Sequence, residues 1–265
     1  MKRSIYSLKS RDCSIPAALT MFAVSLSTMT TAMAQTESIG EDDSKWGLGA
    51  GVTVIQKPYR DIDADILPVP LFLFENHRIS ASISKVDYKF ISTEHVSLSL
   101  RARYVGDGYD ADKSPFLAGM KDRKGSVWAG SAMTWKTNIA DLSAEVIGDV
   151  SGYSKGTRAK FRVERRFTSG KFTLTPRLEI EWVDSKFVDY YYGVKTSEVR
   201  VDRKYYGGNS SSNVEAGMRM DYALARQHII YFDTSATRFG RAVKESPIVD
   251  NPSQTAVSVG YIYRF

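Results

Sequence analysis

His95-Val96-Ser97 has a spacing that would put a base beside a nucleophile. Side chains two apart on a strand share a face, so the imidazole could take the Ser97 proton, as in an acyl hydrolase. The tripeptide is common by chance, however, and its place just before a strand sets it near a turn, away from a lipid substrate. His77 and His228 also fall near turns, and three scattered histidines make no metal-ligand cluster. Asp61, Asp63 and Asp65 alternate in a loop and would offer oxygens to calcium, but the Gly and distal Glu of a calcium-binding loop are missing. A solvated acidic loop explains them better. Tyr190-Tyr-Tyr-Gly193 and Tyr205-Tyr206, with Arg200, Arg203 and Lys204 between, suit a surface for glycan, lipopolysaccharide phosphate or a partner protein. Packing within the loop or at a membrane boundary accounts for them more simply. Gly47, Gly49 and Gly51 alternate, which fits close backbone approach better than a phosphate cradle. These residues supply no catalytic set, no metal site and no cofactor site, and a non-enzymatic protein is expected.

The charges that repeat regularly lie on strands. In 156–167, Arg158, Lys160, Arg162, Glu164 and Arg166 alternate with Ala159, Phe161, Val163 and Phe167. On either side, 139–150 carries Asp141, Glu145 and Asp149, and 172–183 carries Glu179 and Glu181 opposite Leu178, Ile180 and Trp182. If Phe167 meets Phe172 across the turn, Arg158 faces Glu181 and Lys160 faces Glu179, although Arg162 meets Arg177. If Val150 meets Thr157, then Asp149 faces Arg158, Glu145 faces Arg162 and Asp141 faces Arg166. A basic strand between two acidic ones gives opposite-charge pairs on one face. Such rows are costly against hydrocarbon and sensible in a wet lumen.

The elements that position these rows all read as strands. The last twelve residues place Thr255, Val257, Val259, Tyr261, Tyr263 and Phe265 on one face, and Ala256, Ser258, Gly260 and Arg264 on the other. Alternation that ends on Tyr261, Tyr263 and a terminal Phe265 is how the closing strand of an outer-membrane β-barrel reads, and it is the expected signal to the barrel-assembly machinery. Further strands are expected at 46–56, 66–75, 77–83, 85–90, 95–105, 126–136, 139–150, 156–167, 172–183, 213–223 and 227–238. The fold class is therefore all-β, a transmembrane antiparallel β-barrel of about twelve strands; ten follow if 77–90 is not two strands. Thr137-Asn138, Thr168–Lys171 and Ala223–Gln227 are short connections, as on the periplasmic side. Residues 57–65, 106–125, 184–212 and 239–253 are long and polar, as outside the cell. Pro176 is tolerated most easily at a bulge. Arg165 breaks a lipid face close to a strand end, from which it can snorkel.

Residues 1–34 are expected to be a signal peptide, and 35–265 the barrel. Lys2, Arg3, Lys9 and Arg11 precede an apolar stretch from Ile15 to Leu26, and Ala32-Met33-Ala34 offers a cleavage site before Gln35. Cys13, the only cysteine, lies within that leader, so disulfides and thiolate metal sites are not expected in the barrel. The chain carries a net charge of +6. Half of it belongs to the leader, so the basic balance is no argument for nucleic acid. Beyond the leader the longest uncharged apolar run, Ile66 to Phe74, is nine residues. A membrane helix needs ~20 and a tilted membrane strand ~9–11.

Several segments in order resemble the MipA/OmpV family of outer-membrane proteins, named for MltA-interacting protein. They are Gly47-Leu-Gly-Ala-Gly51, Pro58-Tyr59 with Asp61 and Asp63, Leu67-Pro-Val-Pro70, Gly119-Met120 with Asp122-Arg123, Tyr190-Tyr-Tyr-Gly-Val194, Ser246-Pro247 and Gly260-Tyr-Ile-Tyr-Arg-Phe265. The resemblance implies a barrel in the outer membrane of a Gram-negative bacterium, among its lipid and lipopolysaccharide. It also implies a scaffold that helps hold a lytic transglycosylase (a murein hydrolase) and a murein synthase for peptidoglycan assembly. It supplies no catalytic residues. The other readings are a channel for small solutes or antibiotics and a surface adhesin or antigen.

Overall fold

The computed structural model describes residues 44–265. The expected leader, with Ala32, Ala34 and Gln35, lies outside the described residues. Thirteen strand segments follow: β1 (Lys45–Gln56), β2 (Asp65–Glu75), β3 (Ile79–Ser82), β4 (Lys85–Ser92), β5 (Val96–Val105), β6 (Ser126–Lys136), β7 (Asp141–Asp149), β8 (Thr157–Glu164), β9 (Phe167–Ser169), β10 (Phe172–Val183), β11 (Ser211–Ala225), β12 (His228–Arg238) and β13 (Ser253–Arg264). Neighbours are antiparallel throughout, and β13 pairs with β1 from Gly47↔Arg264 to Gln56↔Thr255, closing the sheet. β8 and β9 pair with β10 in one continuous register and form a single stave. The barrel therefore has twelve staves, and the stretch 77–90 does fold as two short strands, β3 and β4, joined at Ile83-Ser84.

The gap between β8 and β9 has a local cause. Arg165 donates its N–H to the Pro176 carbonyl at 3.2 Å, and Pro176 has no N–H to return. The ladder loses one rung without changing register, so Pro176 sits at a gap and not at the bulge its type suggested.

The period-two pattern sorts side chains inside out. Leu48, Val52, Val54, Phe161, Leu178, Ile180, Trp182, Val257 and Val259 are exposed on the outer face, whereas Thr53, Arg158, Arg162, Glu179 and Ser258 are buried within. Water would favour the reverse; hydrocarbon outside and polar partners inside favour this arrangement. Among the described residues no helix is long and apolar enough to cross a membrane, and crossing is by strands.

Two registers differ from expectation, each by two residues. Ser169, not Phe167, opposes Phe172, because the β9–β10 connection tightens to Gly170-Lys171, with Gly170 at φ 57°. Likewise Gly148, not Val150, opposes Thr157. There the Asp149 carboxylate folds the loop back by accepting N–H bonds from Gly152 (3.2 Å), Ser154 (2.7 Å) and Lys155 (3.0 Å). A slip of two keeps every side chain on its face, so the charges stay inside and only their partners change.

Inside the short-turn end, the Tyr231 ring is buried with Leu71 and Ile262 and lies under Arg219, whose guanidinium carbon is 4.3 Å from the ring centroid. Gly51 and Gly260 make room for it. A Cβ on Gly260 would meet Tyr231 Cε1 at 2.6 Å and the Ala50 carbonyl at 2.8 Å. Gly260→Leu is therefore expected to destabilise the barrel by about 1–3 kcal/mol, read as a lowered urea midpoint in detergent micelles. An unchanged midpoint would show that the ring is free to move aside.

Candidate functional site

The lumen is a continuous ionic network held by rigid staves. From β4 and β5, Arg101 makes a two-bond clasp on Asp87 (2.7 and 2.8 Å) and reaches Glu145 on β7 at 2.6 Å. Arg103 approaches the same Glu145 at 3.1 Å. Lys160 pairs with Glu179 at 2.6 Å, and Arg162 donates to Glu179 at 2.8 Å. Arg177 clasps Asp233 on β12 (2.8 and 3.0 Å) and touches Glu215 at 3.3 Å. Arg158 bonds Glu181 on β10 and Asp107 at 2.7 Å. Apart from Arg103, which meets Glu145 as an ion pair without a hydrogen bond, each of these charges is balanced by a hydrogen-bonded partner, the condition for burying it at all.

Several expected pairs therefore form, though along diagonals. Directly across, Lys160 opposes Glu181 and Arg162 opposes Glu179, yet the long side chains still bring Arg158 to Glu181 and Lys160 to Glu179. Arg162 does not meet Arg177, which opposes Glu164. Other expected pairs are corrected. Asp149 is occupied with its own loop, including the Ser154 hydroxyl at 2.8 Å. Glu145 opposes Lys160 and binds Arg101 and Arg103. Asp141 opposes Glu164, and no direct ion pair joins it to Arg166, which flanks the Pro176 gap.

Above this network the long loops do not stay apart as polar surface segments. They fold into an apolar cap over the lumen, which is the main correction to the sequence reading. Tyr59, Tyr109, Leu117, Trp128, Phe187, Val188, Tyr192, Val243 and Ile248 are buried in one cluster. Asp184 caps helix α1 (Ser185–Tyr192) by accepting the Phe187 N–H at 2.9 Å, and the helix turns Phe187, Val188, Tyr191 and Tyr192 inward. Tyr59 stacks on Tyr192 at 5.5 Å and donates its hydroxyl to the Asp107 carbonyl at 2.9 Å. Tyr206 donates to the Ala242 carbonyl at 2.7 Å, and the Ser246 hydroxyl donates to the Tyr192 carbonyl at 2.5 Å. Burial pushes the phenols of Tyr59, Tyr191 and Tyr192 upward, so they remain neutral donors. The signal was present in the sequence as Phe116-Leu117, Phe187-Val188 and Ile248-Val249, scattered among turn residues.

Arg158 joins cap to lumen. Its guanidinium carbon lies 5.2 Å from the rings of both Trp128 and Phe187, so one cation serves the carboxylates below and the aromatics above. In the cap itself, Arg123 is held to Glu198 at 2.8 Å, both buried. Burial pushes the Glu198 carboxyl up, but hydrogen bonds from Arg123 and from the Lys121 and Lys195 amides outweigh it, and its pKa falls below the usual range.

The weaker candidates are placed as follows. His95 and Ser97 both line a cavity of about 110 Å³ at the short-turn end, but no hydrogen bond joins them. Asp65 is bound by Lys57 (3.2 Å) and Lys113 (3.5 Å), and among the described residues no acidic or histidine cluster could hold a metal. Tyr191 and Tyr192 pack in the cap, and Arg203, also buried there, donates to the Glu198 carbonyl at 2.9 Å. Arg200 pairs with exposed Asp202. Tyr261 and Tyr263 lie on the outer face near the end of β13, hydrogen-bonded to His228 (2.6 Å) and Gln227 (3.2 Å), and Phe265 is exposed beside Tyr263.

The cap yields a test. Arg123→Ala leaves Glu198 buried without its cation and should cost the cap about 3–5 kcal/mol. Added protease should then cut within 106–125 in proteoliposomes while the strands stay protected. The pH dependence has a definite sign. A carboxyl with a lowered folded pKa stabilises above its unfolded value of about 4.3 and loses that contribution as pH falls through the folded value. Cap protection should therefore persist at pH 5 and fail only in stronger acid; loss near neutrality would contradict the role given to Glu198.

Comparison with known proteins follows from this geometry. The family described as MltA-interacting protein MipA matches residues 48–265. The MltA-interacting protein of Escherichia coli (strain K12) is 27% identical over 236 residues, covering 88% of this chain and 95% of that one. Outer membrane protein OmpV of Vibrio cholerae is 24% identical over 225 residues, covering 84% and 88%. Among solved structures, an outer membrane channel from Pseudomonas putida F1 aligns at 10% identity with a TM-score of 0.41, covering 84% of this chain and 95% of that one.

Proposed function

This outer-membrane chain belongs to the MltA-interacting protein family, and from that premise we propose that it is a non-enzymatic scaffold holding murein-processing enzymes at its short-turn rim. The partners are a lytic transglycosylase and a murein synthase, acting in peptidoglycan assembly. The observation that favours a scaffold over a diffusion pore is the capped lumen. Arg158 and Lys160 pair with Glu181 and Glu179 on the neighbouring stave, Arg177 pairs with Asp233, and together they line it with buried charge, while the aromatic cap covers its long-loop end. A solute would have to open this buried cap to pass.

The short turns, the start of β1 and the end of β13 share one rim, which faces the periplasm in barrels of this type. Murein lies on that side, so the binding surface is formed by residues 137–140, 170–171 and 226–227. The outward run Tyr261, Tyr263 and Phe265 at the same rim is what the barrel-assembly machinery would engage before β13 meets β1. The outer face meets membrane lipid, including lipopolysaccharide on the long-loop side.

Immobilised barrel carrying exchanged turns at 137–140, 170–171 and 226–227 is expected to lose both murein enzymes from native-membrane extracts, while its heat-modifiable mobility is unchanged. Full recovery of the enzymes would remove those turns from the account. In planar bilayers the unaltered protein is expected to give no steady single-channel steps. Steps that persisted with the cap intact would favour the channel instead.

A further inference from the structure

We propose that the barrel wall has a lateral portal between β2 and the β3–β4 hairpin, through which a long-chain carboxylate enters from the adjoining lipid leaflet. β2 pairs with β1 along its whole length, from Lys45↔Glu75 to Ile55↔Asp65. It pairs with β3 only at Leu73, Phe74 and Glu75. Following the registers once round the barrel returns to β1 about 16 residues along, so each stave ends slightly lower than the one before. Against that slope β3 and β4 stop about 5 to 6 residues short at the long-loop end, roughly 17–20 Å along the strand. The short-turn rim has no matching step. The notch therefore takes out about half the height of the wall, on the side of the outer leaflet.

The exposed edge of β2 is adapted to the notch. Asn76 donates its N–H to Ile79, so even-numbered residues of this strand direct their backbone groups toward β3. Pro68 and Pro70 belong to that set, and the ladder with β1 runs unbroken past both. Their nitrogens point into the gap, where they remove two donors from an unpaired edge. The remaining donors are Ile66 and Phe72, and the carbonyls along the edge stay unpaired by any strand. Hydrocarbon alone cannot satisfy them, so water or a polar ligand must stand in the gap. Outside, Ile66 (70% exposed) and the exposed prolines present an apolar jamb.

Behind the notch the chemistry is amphiphilic. The inner face of β2 carries Leu67 and Val69 at the height of the notch, and below it Leu71 packs with Tyr231 and Ile262 toward the short-turn end. A cavity of about 110 Å³ lies beneath the cap and reaches the two staves that flank the notch, at Ile55 and Lys57 on one side and Arg103 and Val105 on the other; deeper in, the paired charges of Arg158, Arg177, Glu181 and Asp233 line it. Arg103 is 94% buried from solvent by its residue exposure of 6%; its Nε has no hydrogen-bond partner, and its ion pair is to Glu145 alone. The opening is framed on its upper side by Lys57 donating to the Gly108 carbonyl at 2.9 Å and by Lys113 on Asp65. On its far side Tyr104 donates its N–H to the Ser84 carbonyl at 2.9 Å. A carboxylate head would reach Arg103 while its chain lies along Leu67 and leaves over Ile66 and Pro68.

The test uses the whole barrel in lipid nanodiscs, photolysed with a palmitate analogue carrying a chain-end diazirine, and with the matching alcohol. Acid adducts are expected on β2 and the β3–β4 hairpin at about tenfold the level on β8 and β10, a difference of about 1.4 kcal/mol. Leu67→Trp, which fills the notch from within, should remove them, and Arg103→Gln should bring acid labelling down to that of the alcohol. Should either variant fail to show heat-modifiable mobility, the adduct map on the unaltered chain decides alone. Even labelling round the apolar belt, or equal labelling by acid and alcohol on the unaltered chain, overturns the proposal. So does displacement by lipopolysaccharide but not by oleate. Enzyme capture at the short-turn rim is independent of all these outcomes.

Discussion

Hydrocarbon can neither solvate a charge nor complete a backbone hydrogen bond, and the rest of this structure follows from that constraint. A cation in the middle of a stave must turn inward, and once inward it needs an anion, because an unpaired buried charge costs more than the fold can spare. Arg158 shows the consequence most fully. It cannot face lipid, so it binds Glu181 and Asp107 in the lumen. Its apolar side then becomes a floor for Trp128 and Phe187. The ionic lumen and the aromatic cap are therefore not separate modules. The cation that closes one supports the other.

This coupling distinguishes the two ends of the barrel. At the long-loop end, loops around 57–64, 106–125, 184–210 and 239–252 share a cluster as tightly buried as a soluble core. At the short-turn end the connections are two to a few residues and contribute no such cluster. A protein built to pass solute would keep both ends open. A protein built to be held in place while others bind needs only a rigid wall and a presented rim. The capped long-loop end and the buried charges below it are the basis on which we propose the second.

Strand positions and the inside-outside sorting were legible in the sequence because both depend on period-two alternation, which a single chain displays openly. The expected strands at 126–136 and 172–183 match β6 and β10 residue for residue. Registers were less legible. They depend on turn geometry, and the choice between a four-residue connection and Gly170-Lys171 is not visible in alternation. Arg158 with Glu181 and Lys160 with Glu179 nonetheless survived a slip of two, since arginine and lysine reach the diagonal neighbour as readily as the direct one, whereas the pairs expected between β7 and β8 were lost. Of the cap, only packing of the tyrosines at 190–192 and 205–206 within their own loop was legible. Its apolar residues have no period, being drawn from turns, a short helix and strand ends, and only folding brings Tyr59, Tyr109 and Tyr192 together.

The shortness of β3 has its own logic. A barrel that wanted a sealed wall would extend the β3–β4 hairpin beside β2, and nothing in the charge network forbids it, because the inner face of β2 is apolar. Instead the chain places two prolines on the edge that such an extension would need, at alternate positions whose nitrogens face the missing strand. A proline in either position costs β2 a rung if β3 is long and costs nothing if β3 is short. Their presence means that the edge is meant to stay unpaired. The loop contacts from Lys57 to Gly108 and from Lys113 to Asp65 then bridge above the gap from the two flanking staves. The wall is thus held open by sequence on one side and kept from spreading by the cap above it.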